Sequence, residues 1–196
     1  MPESLNDIGI IMLAAGYSKR FNADKRQASF NEGSTLLDAT LANVPDSFTQ
    51  RLLVLHPGDE ALAEPYAASW SICIADRASE GMGFSLSAGI AQASEWPALL
   101  VALADMPYVQ PETYRAIQQA MLKHRLVRPY CQGRPGNPVG IHAEFYPALM
   151  QLDADQGARQ LLQDNKDRVF QLECPDWGIT QDVDTPASLP AEKSDS

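Results

Sequence analysis

The residues at 98–104, Ala-Leu-Leu-Val-Ala-Leu-Ala, constrain the fold more than any other stretch. This short apolar run stops at Asp105-Met106-Pro107 and reads as a buried strand. An aspartate directly after such a strand brings its carboxylate to the sheet edge, beside the crevice where ligands of open α/β sheets sit. Ile8–Leu13 has the same character and breaks at Ala14-Ala15-Gly16. Arg51–His56, halted by Pro57-Gly58, and Trp70–Ala75 are further strand candidates.

Helical segments fall between these runs. Ser34 is placed to cap a helix through Leu36, Leu37, Thr40 and Leu41 to Pro45, and an alanine-rich helix is expected around Glu60–Ala68. The glycine-rich stretch Asp76–Gly89 runs into another, and Pro111-Glu112 opens one reaching about His124. After Leu126 the pattern loosens. Leu126–Cys131 and Val139–His142 read as strands around the loop Gln132–Pro138, Ala143–Leu152 and Ala158–Gln163 as helices, and Arg168–Glu173 as a last strand. A short helix is expected after Pro186. Alternating strands and helices predict an α/β fold, a three-layer α/β/α sandwich on a mostly parallel sheet. At 196 residues, one domain over 1–190 with a disordered polar tail at 191–196 is the expected organisation.

Composition narrows the partners. A formal net charge of −10 with no basic tract argues against a general nucleic-acid binder. Cys73, Cys131 and Cys174 are widely spaced, which fits a reducing compartment, and the scattered His56, His124 and His142 offer no zinc motif. The N-terminus lacks a signal-peptide pattern, and no apolar run reaches membrane-spanning length. A cytoplasmic protein is expected.

The segment after the first strand carries the chemistry. The loop opening at Ala14-Ala15-Gly16 is expected to offer small side chains and free backbone N–H groups, and Ser18, Lys19, Arg20 and Lys25 add a hydroxyl and cations, as a polyphosphate requires. Neither Gly-x-x-x-x-Gly-Lys-Ser/Thr nor Gly-x-Gly-x-x-Gly is present. Asp105 stands at one strand end, and Asp182 and Asp184 before Pro186 form a second acidic site. Two carboxylates from separate strand ends suit Mg²⁺, which binds one or two carboxylates together with substrate phosphates.

Leu13-Ala14-Ala15-Gly16-x-Ser18-x-Arg20-Phe21-x-x-x-Lys25 resembles the signature loop of the MobA-like nucleotidyltransferases, closest to the molybdenum cofactor cytidylyltransferase (MocA-like) branch. Three segments extend the resemblance: Glu80-Gly81-Met82-x-x-Ser85-Leu86-x-x-Gly89, Leu103-Ala104-Asp105-Met106-Pro107 and Asp182-Val183-Asp184-Thr185-Pro186. Gly133-x-Pro135-Gly136-Asn137-Pro138 and Asp155-Gln156-Gly157-Ala158-Arg159 are similar to the family's acceptor-side loop and a nearby segment. The resemblance implies a Rossmann-like fold of the nucleotide-diphospho-sugar transferase type. It implies nucleotide binding by Leu13, Ala14, Ala15, Gly16, Ser18, Gly81, Met82, Ser85 and Ser87, and catalytic roles for Arg20, Lys25 and Asp105. Asp105 and Asp184 would hold Mg²⁺, with Asp182 a second choice, and Pro135, Gly136, Asn137 and Pro138 would meet the acceptor. The implied reaction moves CMP from CTP to the terminal phosphate of molybdopterin and releases pyrophosphate. A molybdoenzyme client is an implied partner.

Three departures from the pattern stand out. Asn22 replaces a glycine, Arg26-Gln27-Ala28 replaces apolar residues after the lysine, and Asn137 stands where histidine is usual. GTP as donor, another phosphorylated acceptor, or a non-catalytic nucleotide or pterin carrier remain alternatives on sequence grounds.

Overall fold

The computed structural model describes residues 1–16, 24–31, 33–151 and 157–185. In chain order the elements begin with β1 (Ile8–Leu13), the small antiparallel pair β2 (Ser29–Asn31) and β3 (Ser34–Thr35), and α1 (Leu36–Ala42). They continue with β4 (Arg51–Leu55), α2 (Glu60–Ala63), β5 (Ser71–Ile74), α3 (Met82–Gln92), β6 (Ala98–Leu103) and α4 (Pro111–Met121). The last are β7 (Leu126–Cys131), β8 (Arg134–Pro135), β9 (Val139–His142), α5 (Tyr146–Leu149), α6 (Gly157–Asp164) and β10 (Val169–Glu173).

The main sheet runs β10-β7-β9-β6-β1-β4-β5, with β8 paired to β7. β1 is parallel to β4 and β6, and β5 and β10 are parallel to their neighbours, whereas β9 is antiparallel to both β6 and β7. This is the mostly parallel, three-layer α/β/α architecture that the alternating runs predict. The absence of polar positions in β1 follows from that layering. Ile8, Ile10 and Met12 pack on one face with Leu37 and Leu41 of α1 and Ile117 and Met121 of α4. Ile11 and Leu13 pack on the other with Leu86 and Ile90 of α3 and Leu149 of α5. Successive strand side chains alternate faces, so a strand covered on both sides must be apolar at every position. Burying each such isoleucine contributes about 1.5–3 kcal/mol.

Several local expectations shift. The cap of α1 is Thr35 rather than Ser34: Thr35 Oγ1 accepts from Asp38 N, and the Asp38 carboxylate accepts from Thr35 N at 2.8 Å. That reciprocal pair needs an acidic residue three positions after the cap, which Thr35 has, while Ser34 is drawn into β3. The helix expected to Ala68 is α-helical only to Ala63, then tightens into a 3₁₀ turn with Pro65 at its start. Ala143–Leu152 is likewise divided, with Pro147 in the first turn of the short α5. Proline lacks the N–H that a continuing helix would use. The expected helix after Pro186 and the tail at 191–196 lie outside the described residues. Among the described residues, no helix is long and apolar enough to cross a membrane.

Topology positions the site. From β1 the chain moves outward through β4 to β5, then returns to β6 on the opposite side of β1. The loops leaving β1 and β6 therefore diverge, and a crevice opens at the carboxyl ends of these strands.

Candidate active site

A cleft of about 410 Å³ occupies that position. Leu13, Ala14, Ala15 and Gly16 line it from β1, and Leu103, Ala104 and Asp105 from β6. Ala78, Ser79, Gly81, Met82 and Ser85 form another wall, and Lys25, Arg26, Leu36 and Asp184 complete it. The backbone continues sheet pairing beyond both strands, since Ala14 N donates to Val54 O and Ala104 N to Leu13 O. This places Asp105 at the cleft by rigid hydrogen bonding. Thr40 Oγ1 of α1 also donates to Ala104 O at 2.9 Å, bracing the residue before it.

Asp184 reaches the same place by a different route. Val183 N donates to Asp105 O at 2.8 Å, and the Val183 side chain is fully buried against Phe30 and Leu36. An apolar anchor and one backbone hydrogen bond thus carry the neighbouring carboxylate to the first. Lys25 sits between them, with Nζ 2.7 Å from Asp105 Oδ2, 3.4 Å from Asp184 Oδ1 and 3.3 Å from Val183 O. The other Asp105 oxygen, Oδ1, is buried and accepts no hydrogen bond from the described residues. A buried carboxylate oxygen without a donor is costly, and a ligand cation or donor relieves that cost.

Those oxygens fit a hard divalent cation. Among the described residues, no group of three or more His, Cys, Asp or Glu side chains could hold a metal alone. Two carboxylates do not make a closed structural site, but they match Mg²⁺, which is usually held by one or two carboxylates plus substrate phosphates.

The opposite wall is the start of α3. Gly81 takes φ +139°, a backbone region that side chains other than glycine's rarely enter, and it turns the chain into the helix. The first turn of α3 has no acidic residue and no side-chain cap, so none of its own carboxylates competes for the positive helix end facing the cleft. Ser85 lies buried one turn on, while Met82 is half exposed at the rim. Gly89 lets this helix pack close: a Cβ there would lie 3.0 Å from Val54 Cγ2 and 3.2 Å from Ile11 Cγ2. At Gly16 an added Cβ would meet none of the described residues within 4 Å.

Of the residues singled out in the sequence, Leu13, Ala14, Ala15, Gly16, Lys25, Gly81, Met82, Ser85, Asp105 and Asp184 all line this cleft. Ser18, Arg20 and Asn22 lie outside the described residues. Ser87 is not among the lining residues; its hydroxyl donates to Met150 O at 3.2 Å. Two positions along a helix turn a side chain well away from Ser85, which explains the difference. Pro135, Gly136, Asn137 and Pro138 are also off the cleft. Gly136 N donates to Pro129 O and Asn137 N to Ile179 O, and the Asn137–Pro138 peptide is cis. This loop seats the buried Ile179, and through it the segment leading to Asp184. Asp182, the second-choice ligand, is not among the lining residues either.

Sequence reading missed Arg26 as a site residue, noting it only as a departure from apolar expectation. Its guanidinium meets Asp24, Asp59 and Ala14 O. Burial opposes its charge, but the hydrogen bonds it donates to Asp24 and Asp59 outweigh that and raise its pKa. Burial likewise pushes the Asp24 carboxyl up, yet the hydrogen bonds from Arg26 and Gln27 leave it lowered. The available signal was the basic residue itself, while its partner Asp59 stands 33 positions away.

Comparison with known proteins agrees with this geometry. A family profile described as the MobA-like NTP transferase domain matches residues 10–169. The purine catabolism protein PucB of Bacillus subtilis (strain 168) is 28% identical over 187 residues, spanning 90% of this chain and 91% of that protein. Nicotine blue oxidoreductase of Paenarthrobacter nicotinovorans is 29% identical over 192 residues, 89% and 91% of the two chains. Among solved structures, Rv0371c from Mycobacterium tuberculosis H37Rv superposes with a TM-score of 0.75 at 23% identity, covering 92% of this chain and 94% of that one. A complex of Rv0371c with manganese gives 0.71 at 22%, covering 85% and 88%. At these identities the structural likeness establishes the fold.

Proposed function

Because the chain belongs to the MobA-like NTP transferase family and is a nucleotidyltransferase, we propose that it moves CMP from CTP to the terminal phosphate of a molybdopterin-type acceptor. An oxygen of the acceptor phosphate attacks the α-phosphorus of the triphosphate. The bond to the bridging oxygen of the β-phosphate breaks, and pyrophosphate departs. The observation that carries this reading is the juxtaposition of Lys25, Asp105 and Asp184 at a cleft floored by Leu13–Gly16.

Each residue has a task in that scheme. The small side chains of Ala14, Ala15 and Gly16 admit the triphosphate to the strand end, and Arg20 and Ser18 belong to the same phosphate loop. Gly81, Met82 and Ser85 border the base and ribose, with the start of α3 offering backbone donors. Asp105 and Asp184 would hold Mg²⁺, and the buried Asp105 Oδ1, unpartnered among the described residues, supports that assignment. Bound there, the ion would supply charge neutralisation for the triphosphate and the departing pyrophosphate. Lys25 bridges the two carboxylates in this structure, so a divalent cation competes with its ammonium. In the proposed reaction Lys25, with Arg20, would meet the β- and γ-phosphates. Alignment of the attacking oxygen is the remaining contribution, and no covalent enzyme intermediate is required.

CTP is favoured over GTP by Leu13-Ala14-Ala15-Gly16, and the molybdopterin-type acceptor rests on the family motifs. The test is pyrophosphate release with that acceptor and Mg²⁺, supplying CTP, GTP, ATP and UTP separately. Release with CTP alone supports the whole reading. Release with GTP keeps the chemistry and refutes the base assignment. Binding without turnover for every triphosphate would replace this acceptor, or make the protein a carrier.

A further inference from the structure

Lys25 and Arg26 are consecutive, yet only Lys25 is aimed at the carboxylate pair. Arg26 lines the same cleft but uses every guanidinium N–H on other protein acceptors. Nε donates to Asp24 Oδ1 at 2.8 Å, and Nη2 to Asp24 Oδ2 at 2.8 Å and Asp59 Oδ1 at 2.9 Å. Nη1 donates to Asp59 Oδ2 at 2.5 Å and to Ala14 O at 2.7 Å. Five donors meet five acceptor contacts, and the side chain is only 12% exposed. Asp59 is itself fixed, since its Oδ2 also accepts from His56 N at the end of β4. Asp24 in turn caps the 3₁₀ turn Lys25–Gln27 by accepting from Arg26 N.

Resting on the transferase reading, we propose that Arg26 is a positioning residue: its fork to Asp24 and Asp59 fixes the turn that aims Lys25 at Asp105 and Asp184. Arg26 lines the cleft, but a phosphate contact would require it to surrender one of its five bonds to Asp24, Asp59 and Ala14 O. The planar, five-donor fork also explains why an arginine stands here: the three donors of a lysine ammonium cannot meet all five acceptor contacts. Asp59 does not line the cleft, so its effect on Lys25 is transmitted through Arg26.

The test reads Lys25 directly. Acetylation by the N-hydroxysuccinimide ester of acetic acid is followed by mass spectrometry, with exposed Lys123 of the same chain as the reference. Lys25 labels slowly in the parent protein, because its ammonium is paired with Asp105. In Arg26→Gln and in Asp59→Asn its relative rate rises about fivefold, the signature of a locally loosened turn. Arg26→Lys does not restore protection. Should Arg26→Gln fail to fold, Asp59→Asn carries the same comparison. Unchanged Lys25 labelling in folded variants, even with a lowered unfolding midpoint, would make the cluster merely structural and overturn the proposal. Labelling needs no substrate, so it stands apart from failure of the transfer reaction itself. Where transfer is observed, Arg26→Lys lowers kcat about tenfold and leaves the CTP KM within about twofold. A raised KM at unchanged kcat would mean that Arg26 touches the nucleotide, and would likewise overturn it.

Discussion

Lys25 and Arg26 hold neighbouring ionic clusters built on opposite terms. Around Arg26 every donor is matched, two carboxylates grip one guanidinium, and the side chain is buried. Around Lys25 one short bond to Asp105 is joined by longer contacts to Asp184 and Val183 O, and Asp105 Oδ1 is left without a donor among the described residues. Asp184 is 48% exposed, which weakens its hold on the ammonium through solvent screening. A saturated cluster resists change of partner, while an undersaturated one accepts a new ligand. On the proposed function, they separate the part of the turn that stays still from the part that exchanges.

The largest effect expected is on the undersaturated side. On the proposed function, Asp105→Ala lowers turnover by about 10³-fold, because it removes one of the two carboxylates assigned to the metal. Its unfolding free energy stays within about 1 kcal/mol of the parent, since little core packing is lost. Pyrophosphate release at the parent rate would end the metal assignment. Lys25→Ala is expected to cost about 10²-fold in kcat and to raise the triphosphate KM, measured in the same assay. Kinetics identical to the parent would remove Lys25 from the phosphate site.

On the saturated side the loss is in stability. Arg26→Gln leaves Asp24 and Asp59 facing each other without their cation, and chemical denaturation should show a loss of about 2 kcal/mol, discounted for partial exposure. A variant as stable as the parent would mean that the fork contributes no net stability. The smallest effect is on pH dependence. The folded Asp24 pKa lies below its unfolded value, so its contribution is present above about pH 4 and is lost as pH falls through the folded value. The parent therefore loses stability on acidification over that window. Arg26→Gln removes the strongest of the Asp24 partners and should flatten this slope in urea midpoints taken at about pH 5 and about pH 3. Parallel slopes would show that another group governs the acid limb.

The same contrast divides what the sequence reveals. The layered α/β architecture is legible because β1 and β6 are apolar at every position, and only a strand buried on both faces demands that. The ten singled-out residues that line the cleft follow directly from strand ends or motif loops, where position in sequence dictates position in space. Thr35 as the cap was also readable, since Asp38 lies three residues after it. The reversed direction of β9 was not, because it depends on which strands lie on either side. Nor was the Arg26–Asp59 pair, which joins residues from separate loops that only the sheet brings together. Ser87 fits the motif but turns along α3 to Met150 O, a displacement set by helical geometry.

The most direct measurement is a titration of Mn²⁺ followed by electron paramagnetic resonance, with and without CTP, in the parent, Asp105→Ala and Lys25→Ala. Weak binding to the parent alone, tightened by CTP, is predicted, because two carboxylates need the phosphates to complete the coordination. Lys25→Ala should bind Mn²⁺ more tightly than the parent without nucleotide, since the competing ammonium is gone, and Asp105→Ala should bind it least. Equal affinity in all three proteins would contradict the central claim that Lys25 and a divalent cation share the Asp105–Asp184 pair.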